Sequence, residues 1–231
     1  MSPLPQVIFL DAVGTLFGVR GTVGEVYGEI AQQFGVAVAP EAIDTAFIEC
    51  FQRSPLAAFP GVSPAELAEY EFNWWRAIAT QTFQQVGVFE QFADFSGFFT
   101  QLYDYFATAD PWFVYPDVVE ALAGWQNQGI ELGIISNFDS RIYSVLKALN
   151  LAEFFTSFTI STEVGVAKPN SQIFAIALTK HHCSVSEAWH IGDSWKEDYQ
   201  AATEAGLKAI WLNRDSRRQP GSGEVWYSLL G

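Results

Sequence analysis

The sequence predicts an α/β fold: a parallel sheet with crossover helices, into which an all-helical segment is inserted. Three observations point there. Short runs rich in Val, Ile and Phe recur along the chain, each too brief for a helix. Helical patterns lie between them, and strand alternating with helix is the mark of a parallel sheet. One long stretch, from about residue 17 to about residue 110, breaks this rhythm with apolar residues at helical spacing.

The first strand is read at Gln6 to Leu10, an apolar run that ends on Asp11 and enters the turn Val13-Gly14-Thr15 at once. The inserted stretch shows no convincing strand run. Val23, Val26, Tyr27, Ile30, Ala31 and Phe34 line one helical face, and a dense series of rings from Trp74 to Phe106 fits a bundle packing its own aromatics. Alternation then resumes. Helical patterns are read at Pro116 to Gln128, Arg141 to Leu149, Gln172 to His181 and Asp198 to Ala205, with Gly129 and Gly206 as terminators. Between and after them, strands are read at Ile130 to Ser136, Phe155 to Ser161, Glu187 to Asp193 and Leu207 to Asn213. The tail "RDSRRQPGSGE" is polar and turn-rich.

At 231 residues and 49 % hydrophobic composition, the chain has ample material for a sizeable core. A formal charge of -14 with only 12 Lys and Arg argues against nucleic acid and against anionic membrane as partners. An anionic small substrate would then need local help from a metal ion or a few placed cations. No apolar run approaches a membrane span, and no signal-peptide pattern is present. Cys50 and Cys183 lie far apart without metal-ligand neighbours, which suits a reducing compartment, and the chain reads as cytoplasmic.

The residues of chemical interest fall where strands end, the edge at which parallel sheets bind ligands. Asp11 ends the first strand, Ser136 and Asn137 the second, and Asp193 ends "AWHIG"; Lys168 follows "FTIS" by a short loop. A carboxylate so placed can act as a nucleophile. Gly14 permits a sharp turn that brings backbone N–H groups toward an anion. The Ser136 hydroxyl can donate to a phosphoryl or carboxylate oxygen, and Lys168 is a point charge suited to holding nucleophile and anion together. Asp193 and Asp198, five apart across "GDSWKED", offer hard oxygen ligands of the kind Mg²⁺ prefers. Each residue alone has an ordinary structural role: Asx cap, helix cap, solvated lysine. His190 reads as a core or half-buried strand residue. The joint order of the four signals is what carries the functional reading.

With those four signals in place, the chain resembles the haloacid dehalogenase superfamily over nearly its whole length. "FLDAVGTLF" is similar to the nucleophile motif, "GIISNFD" to the serine/threonine motif, "VAKPNSQIF" to the lysine motif and "HIGDSWKEDYQAATEAG" to the acidic motif. The resemblance implies a Rossmann-like core from residues 1–16 and 111–231, with helices on both sheet faces, and a helical cap domain at 17–110. It implies Asp11 as nucleophile, Lys168 steadying the intermediate, and Ser136, Asn137, Gly14 and Thr15 about the transferred group. Asp11, the Val13 carbonyl and Asp193 would surround Mg²⁺, with Asp198 orienting Lys168 or a metal-bound water.

The departure from the family pattern is Val13. Phosphatases of the superfamily usually carry a second Asp there, which protonates the leaving oxygen and activates water. Loss of such a group typically costs about 10²–10⁴-fold in rate. The 2-haloacid dehalogenases read D-A-Y-G-T at this place, close to D-A-V-G-T here, and their leaving halide needs no proton. The expectation is a Mg²⁺-dependent phosphatase acting on a small phosphorylated metabolite, with two alternatives: a 2-haloacid dehalogenase, or a catalytically weakened binding or regulatory protein on the same scaffold.

Overall fold

The computed structural model describes residues 4–214 and 223–231. Most of the tail read as a turn-rich loop, 215–222, therefore lies outside the described residues. In chain order the elements are β1 (Val7–Leu10), β2 (Phe17–Val19), α1 (Val23–Gln33), α2 (Pro40–Arg53), α3 (Leu67–Val86), α4 (Phe95–Tyr105) and β3 (Trp112–Val114). They continue with α5 (Val118–Asn127), β4 (Glu131–Ser136), α6 (Ile142–Ala148), β5 (Ser157–Ile160), α7 (Ser161–Val164) and α8 (Gln172–His181). Last come β6 (Ala188–Gly192), a π-helical turn (Trp195–Gln200), α9 (Ala201–Glu204), β7 (Lys208–Leu212) and β8 (Val225–Trp226).

The chain divides into two compact units, one comprising residues up to Gly18, Ala57–Val62 and Val114–Gly231, the other Val19–Leu56 and Ser63–Phe113. In the first unit the strands form a parallel sheet in the order β5-β4-β1-β6-β7-β8. All four residues of β1 are fully buried. Val7 and Phe9 point into a core built with Ile173, Phe174 and Ala177 of α8 and Ala201 and Ala202 of α9. Ile8 and Leu10 point to the opposite side by the alternation of a strand, so both sheet faces are covered, as a parallel sheet requires.

The register fixes the site. Leu10 is level with Ile134 of β4 and with Ile191 of β6. Asp11, Ser136 and Asp193 consequently emerge at one carboxyl edge, where the chain crosses from one side of β1 to the other.

The second unit is helical. Thr22 and Glu25 close a capping box at the start of α1, and Asp94 caps α4. Its core gathers Val26, Tyr27, Ile30, Phe83, Phe98 and Phe99, with ring pairs such as Phe83–Phe98 at 5.1 Å. The rings thus pack the bundle itself. Ala57–Val62, drawn from between α2 and α3, belongs instead to the sheet unit, where the Ser161 hydroxyl donates to the Ala57 carbonyl at 2.6 Å.

Three elements differ from the sequence reading. β2 forms a two-stranded ribbon with β3 in a region that showed no strand run. Three residues are too few to display a period. β8 extends the sheet with only two residues, again below the length at which alternation is visible. The helix expected from Asp198 begins at Trp195 as a π turn, with Asp198 and Tyr199 both donating to the Ser194 carbonyl, at 3.0 and 3.2 Å.

Candidate active site

Asp11 leaves the buried end of β1 and is 8 % exposed. Its Oδ1 accepts from Lys168 Nζ at 2.7 Å and from the Ser136 hydroxyl at 3.3 Å. No hydrogen bond reaches its Oδ2 among the described residues. Lys168, 1 % exposed, also donates to Asp198 Oδ1 at 2.5 Å. The ammonium therefore bridges two carboxylates that are far apart in sequence.

Gly14 shapes the turn by what it lacks. Its φ of +86° is open to glycine, and a Cβ there would stand 2.6 Å from the Asp193 carboxylate. Its N–H, expected to face an anion, is engaged by the Phe17 carbonyl at 2.8 Å. The Thr15 N–H likewise turns to the Ala12 carbonyl, and the buried Thr15 hydroxyl has no hydrogen-bond partner among the described residues. Both residues thus build the loop. Gly192 plays the matching part in the acidic motif, since a Cβ there would fall 2.2 Å from Asp198 Cγ. Two glycines let two carboxylates pack directly against backbone.

Oxygens of Asp11, Asp193 and Asp198 lie within 4.8 Å of one another. Asp11 and Asp198 share the single Lys168 ammonium, so that pair of carboxylates carries one negative charge in excess of it. The donors are hard oxygens of the kind Mg²⁺ takes. Such an ion could be held by this group of carboxylates, and the Val13 carbonyl, two residues after Asp11, receives no hydrogen bond among the described residues. Asp198 fits less directly: its Oδ1 holds Lys168 and His190, and its Oδ2 accepts the Ser194 N–H at 2.9 Å.

Electrostatics separate the two carboxylates that share Lys168. Burial pushes Asp11 up; Lys168 pulls it down without cancelling that rise, and the charge of Asp198 adds to it. Burial also acts to raise Asp198, but Lys168 and His190 outweigh it and hold the carboxyl well below the usual range. Burial works against the Lys168 charge too, yet Asp11 and Asp198 raise its pKa. Lys168 thus pairs with both carboxylates, and of the two Asp11 is the one whose charge burial disfavours.

The sequence reading missed three features. His190 is fully buried, and its Nε2 stands 2.9 Å from Asp198 Oδ1. A carboxylate only accepts, so Nε2 carries the proton, and burial keeps the ring neutral by lowering its pKa. The Asn137 carboxamide, expected to touch the transferred group, clasps the lysine loop instead. Its Nδ2 donates to the Lys168 carbonyl at 2.9 Å, and its Oδ1 accepts the Lys168 N–H at 2.8 Å. Nδ2 also reaches Glu197 Oε2 at 3.2 Å, so Glu197, whose pKa is raised by burial, belongs to the same cluster.

Comparison with known proteins agrees with this geometry. A family model described as haloacid dehalogenase-like hydrolase matches residues 5–206. Haloacid dehalogenase-like hydrolase domain-containing protein 3 of Xenopus laevis is 33 % identical over 208 residues, spanning 90 % of this chain and 84 % of that protein. A HAD phosphatase from Thermococcus onnurineus aligns with TM-score 0.68 and 20 % identity over 97 % of this chain and 94 % of its own. L-2-haloacid dehalogenase from Xanthobacter autotrophicus aligns with TM-score 0.70 and 16 % identity over 98 % and 96 %. At those identities the two structures speak to the fold alone. With the family model matched over most of its length and a relative one-third identical, the chain belongs to the haloacid dehalogenase-like hydrolases.

Proposed function

We propose that this hydrolase is a Mg²⁺-dependent phosphatase that acts on a small anionic phosphorylated metabolite through an aspartyl-phosphate on Asp11. The observation that carries the reading is the grouping of Asp11, Asp193 and Asp198 oxygens within 4.8 Å of one another, with Lys168 bridging Asp11 and Asp198 and two glycines making room for the carboxylates. A dehalogenase needs no metal and has no use for a group of carboxylates placed to hold one.

In this reading Asp11 Oδ2 attacks phosphorus while Lys168 and Ser136 hold Oδ1. The bond from phosphorus to the leaving oxygen breaks as the aspartyl phosphate, a mixed anhydride, forms. Water then attacks phosphorus, the P–O bond to Asp11 breaks, a proton of the water passes to solvent, and phosphate departs with the Asp11 carboxylate restored. Mg²⁺, held by Asp11, the Val13 carbonyl and Asp193, would neutralise the phosphoryl oxygens. Val13 carries no proton, so the leaving oxygen must depart as a stable anion or be protonated by solvent or by the substrate itself. Acyl and aryl phosphates satisfy that condition. The reading takes the helical unit as the family's cap domain, whose role is to exclude water during the reaction. The reading assigns neither nucleic acid nor membrane as partner. It places the chain in the cytoplasm, consistent with two free cysteines and with the absence, among the described residues, of a helix long and apolar enough to cross a membrane.

Val13 is also the one observation that favours a 2-haloacid dehalogenase, since a halide leaves without a proton. One substitution separates the readings. Val13→Asp restores a proton handler two residues from the nucleophile and should raise kcat on alkyl phosphates by about 10²–10⁴-fold. An unchanged rate in the folded variant would favour a binding protein whose site is no longer assembled for turnover.

A further inference from the structure

The loop from Ala12 to Phe17 carries the attacking carboxylate at its entry, and its far side is held by a group outside every motif named above. Arg214, directly after β7, aims its guanidinium at the Thr15 carbonyl, which accepts from Nη2 at 2.7 Å and from Nε at 3.2 Å. The third nitrogen, Nη1, lies 2.9 Å and 3.2 Å from the two oxygens of Asp117. The flat face of the guanidinium rests on the Tyr115 ring at 3.9 Å. Asp117 in turn accepts the Leu229 N–H at 2.5 Å, and the Tyr115 N–H donates to the Leu16 carbonyl at 3.1 Å.

These contacts close a circuit. The segment before α5 and the residues just after β7 reach one turn directly, and the C-terminal segment beyond β8 joins them through Asp117. Inside that turn, Thr15 N–H, Leu16 N–H and Phe17 N–H share the Ala12 carbonyl at 3.3, 2.8 and 3.3 Å, and the Thr15 hydroxyl is buried without a partner among the described residues. The turn therefore has little internal redundancy on its outer side. The Arg214 side chain is 14 % exposed and that of Asp117 8 %, so water offers a poor substitute for either.

We propose that Arg214 is a positioning residue of the nucleophile loop, pinned by Asp117 and stacked on Tyr115 so that its hold on the Thr15 carbonyl sets where Asp11 and the Val13 carbonyl stand. A consequence is that the C-terminal segment, through Leu229, is joined to the nucleophile. The inference rests on Asp11 as the attacking group for its catalytic meaning, while its structural content is independent of the reaction.

The test uses the full chain with Arg214→Gln, Arg214→Lys and Asp117→Asn. Amide hydrogen exchange of residues 11–17 reads the loop; turnover of 4-nitrophenyl phosphate with MgCl₂ reads the chemistry. Arg214→Gln should exchange faster in 11–17 while β4 and β6 keep wild-type protection, with Arg214→Lys partly restored because a lysine can still donate once to Thr15. A displaced nucleophile lowers kcat by about 10- to 100-fold, with KM within about twofold because no substrate contact is removed. Unchanged exchange in folded Arg214→Gln would overturn the inference, as would a loss confined to KM, which would make Arg214 a substrate ligand. If Arg214→Gln does not fold, Arg214→Lys and Asp117→Asn decide by the same two readings. A wild type without Mg²⁺-dependent turnover would sink the phosphatase reading, and exchange alone would then decide whether Arg214 holds the loop.

Discussion

Asp11→Asn should abolish turnover, lowering kcat by on the order of 10⁵-fold, while the protein stays folded. The amide is nearly isosteric with the carboxylate but is not a nucleophile, so the covalent step has no starting group. Stability should hold or rise slightly, because Asp11 is a buried carboxyl whose pKa is pushed up by burial despite Lys168 beside it. Such a group is a net electrostatic burden in the absence of a cation. Thermal unfolding without metal, together with initial rates under Mg²⁺, checks both parts. A variant retaining more than about a thousandth of wild-type kcat would show that another residue attacks.

Lys168→Met should act on stability as well as on activity. The ammonium is buried between Asp11 and Asp198, at 2.7 and 2.5 Å. Removing it leaves two buried carboxylates without their shared cation, and breaking a buried ion pair on one side costs about 3–5 kcal/mol. For a chain of this size that lowers the thermal midpoint by on the order of 10 °C. The double variant Lys168→Met, Asp198→Asn should recover part of the loss, because one of the stranded charges is then gone. If instead the single variant melts with the wild type, Lys168 is not the keystone of the cluster. Activity should be lost in both variants, since neither can steady the acyl phosphate on Asp11.

Much of the site was legible because parallel sheets present their chemistry at strand ends. An apolar run that stops on a polar residue marks such an end, and Asp11, Ser136 and Asp193 each do so; the sheet register then brings them to one edge. The lysine motif was legible by its loop and order. What stayed hidden was cooperation across distance. A lone His in an alternating strand reads as core, and only the fold puts His190 Nε2 against Asp198. The amide of Asn137 reads as a substrate contact until the loop 31 residues on is seen folded against it. Arg214 opens a polar tail and carries no pattern, although 199 residues separate it from the carbonyl it holds. The π turn escaped notice because the helical spacing used to find helices does not distinguish i→i+5 bonding, and β2 because three residues show no alternation.

The central claim is that the three-carboxylate cluster serves phosphoryl transfer with a divalent cation. The most direct test measures phosphate release from acetyl phosphate and 4-nitrophenyl phosphate across a MgCl₂ titration, with chloride release from 2-chloropropionate followed in parallel without metal. Phosphate release should rise with Mg²⁺, vanish on chelation and be absent in Asp11→Asn, and no chloride should appear. Chloride release in the absence of metal, with phosphate esters untouched at any Mg²⁺ concentration, would contradict the account and make Val13 the mark of a dehalogenase.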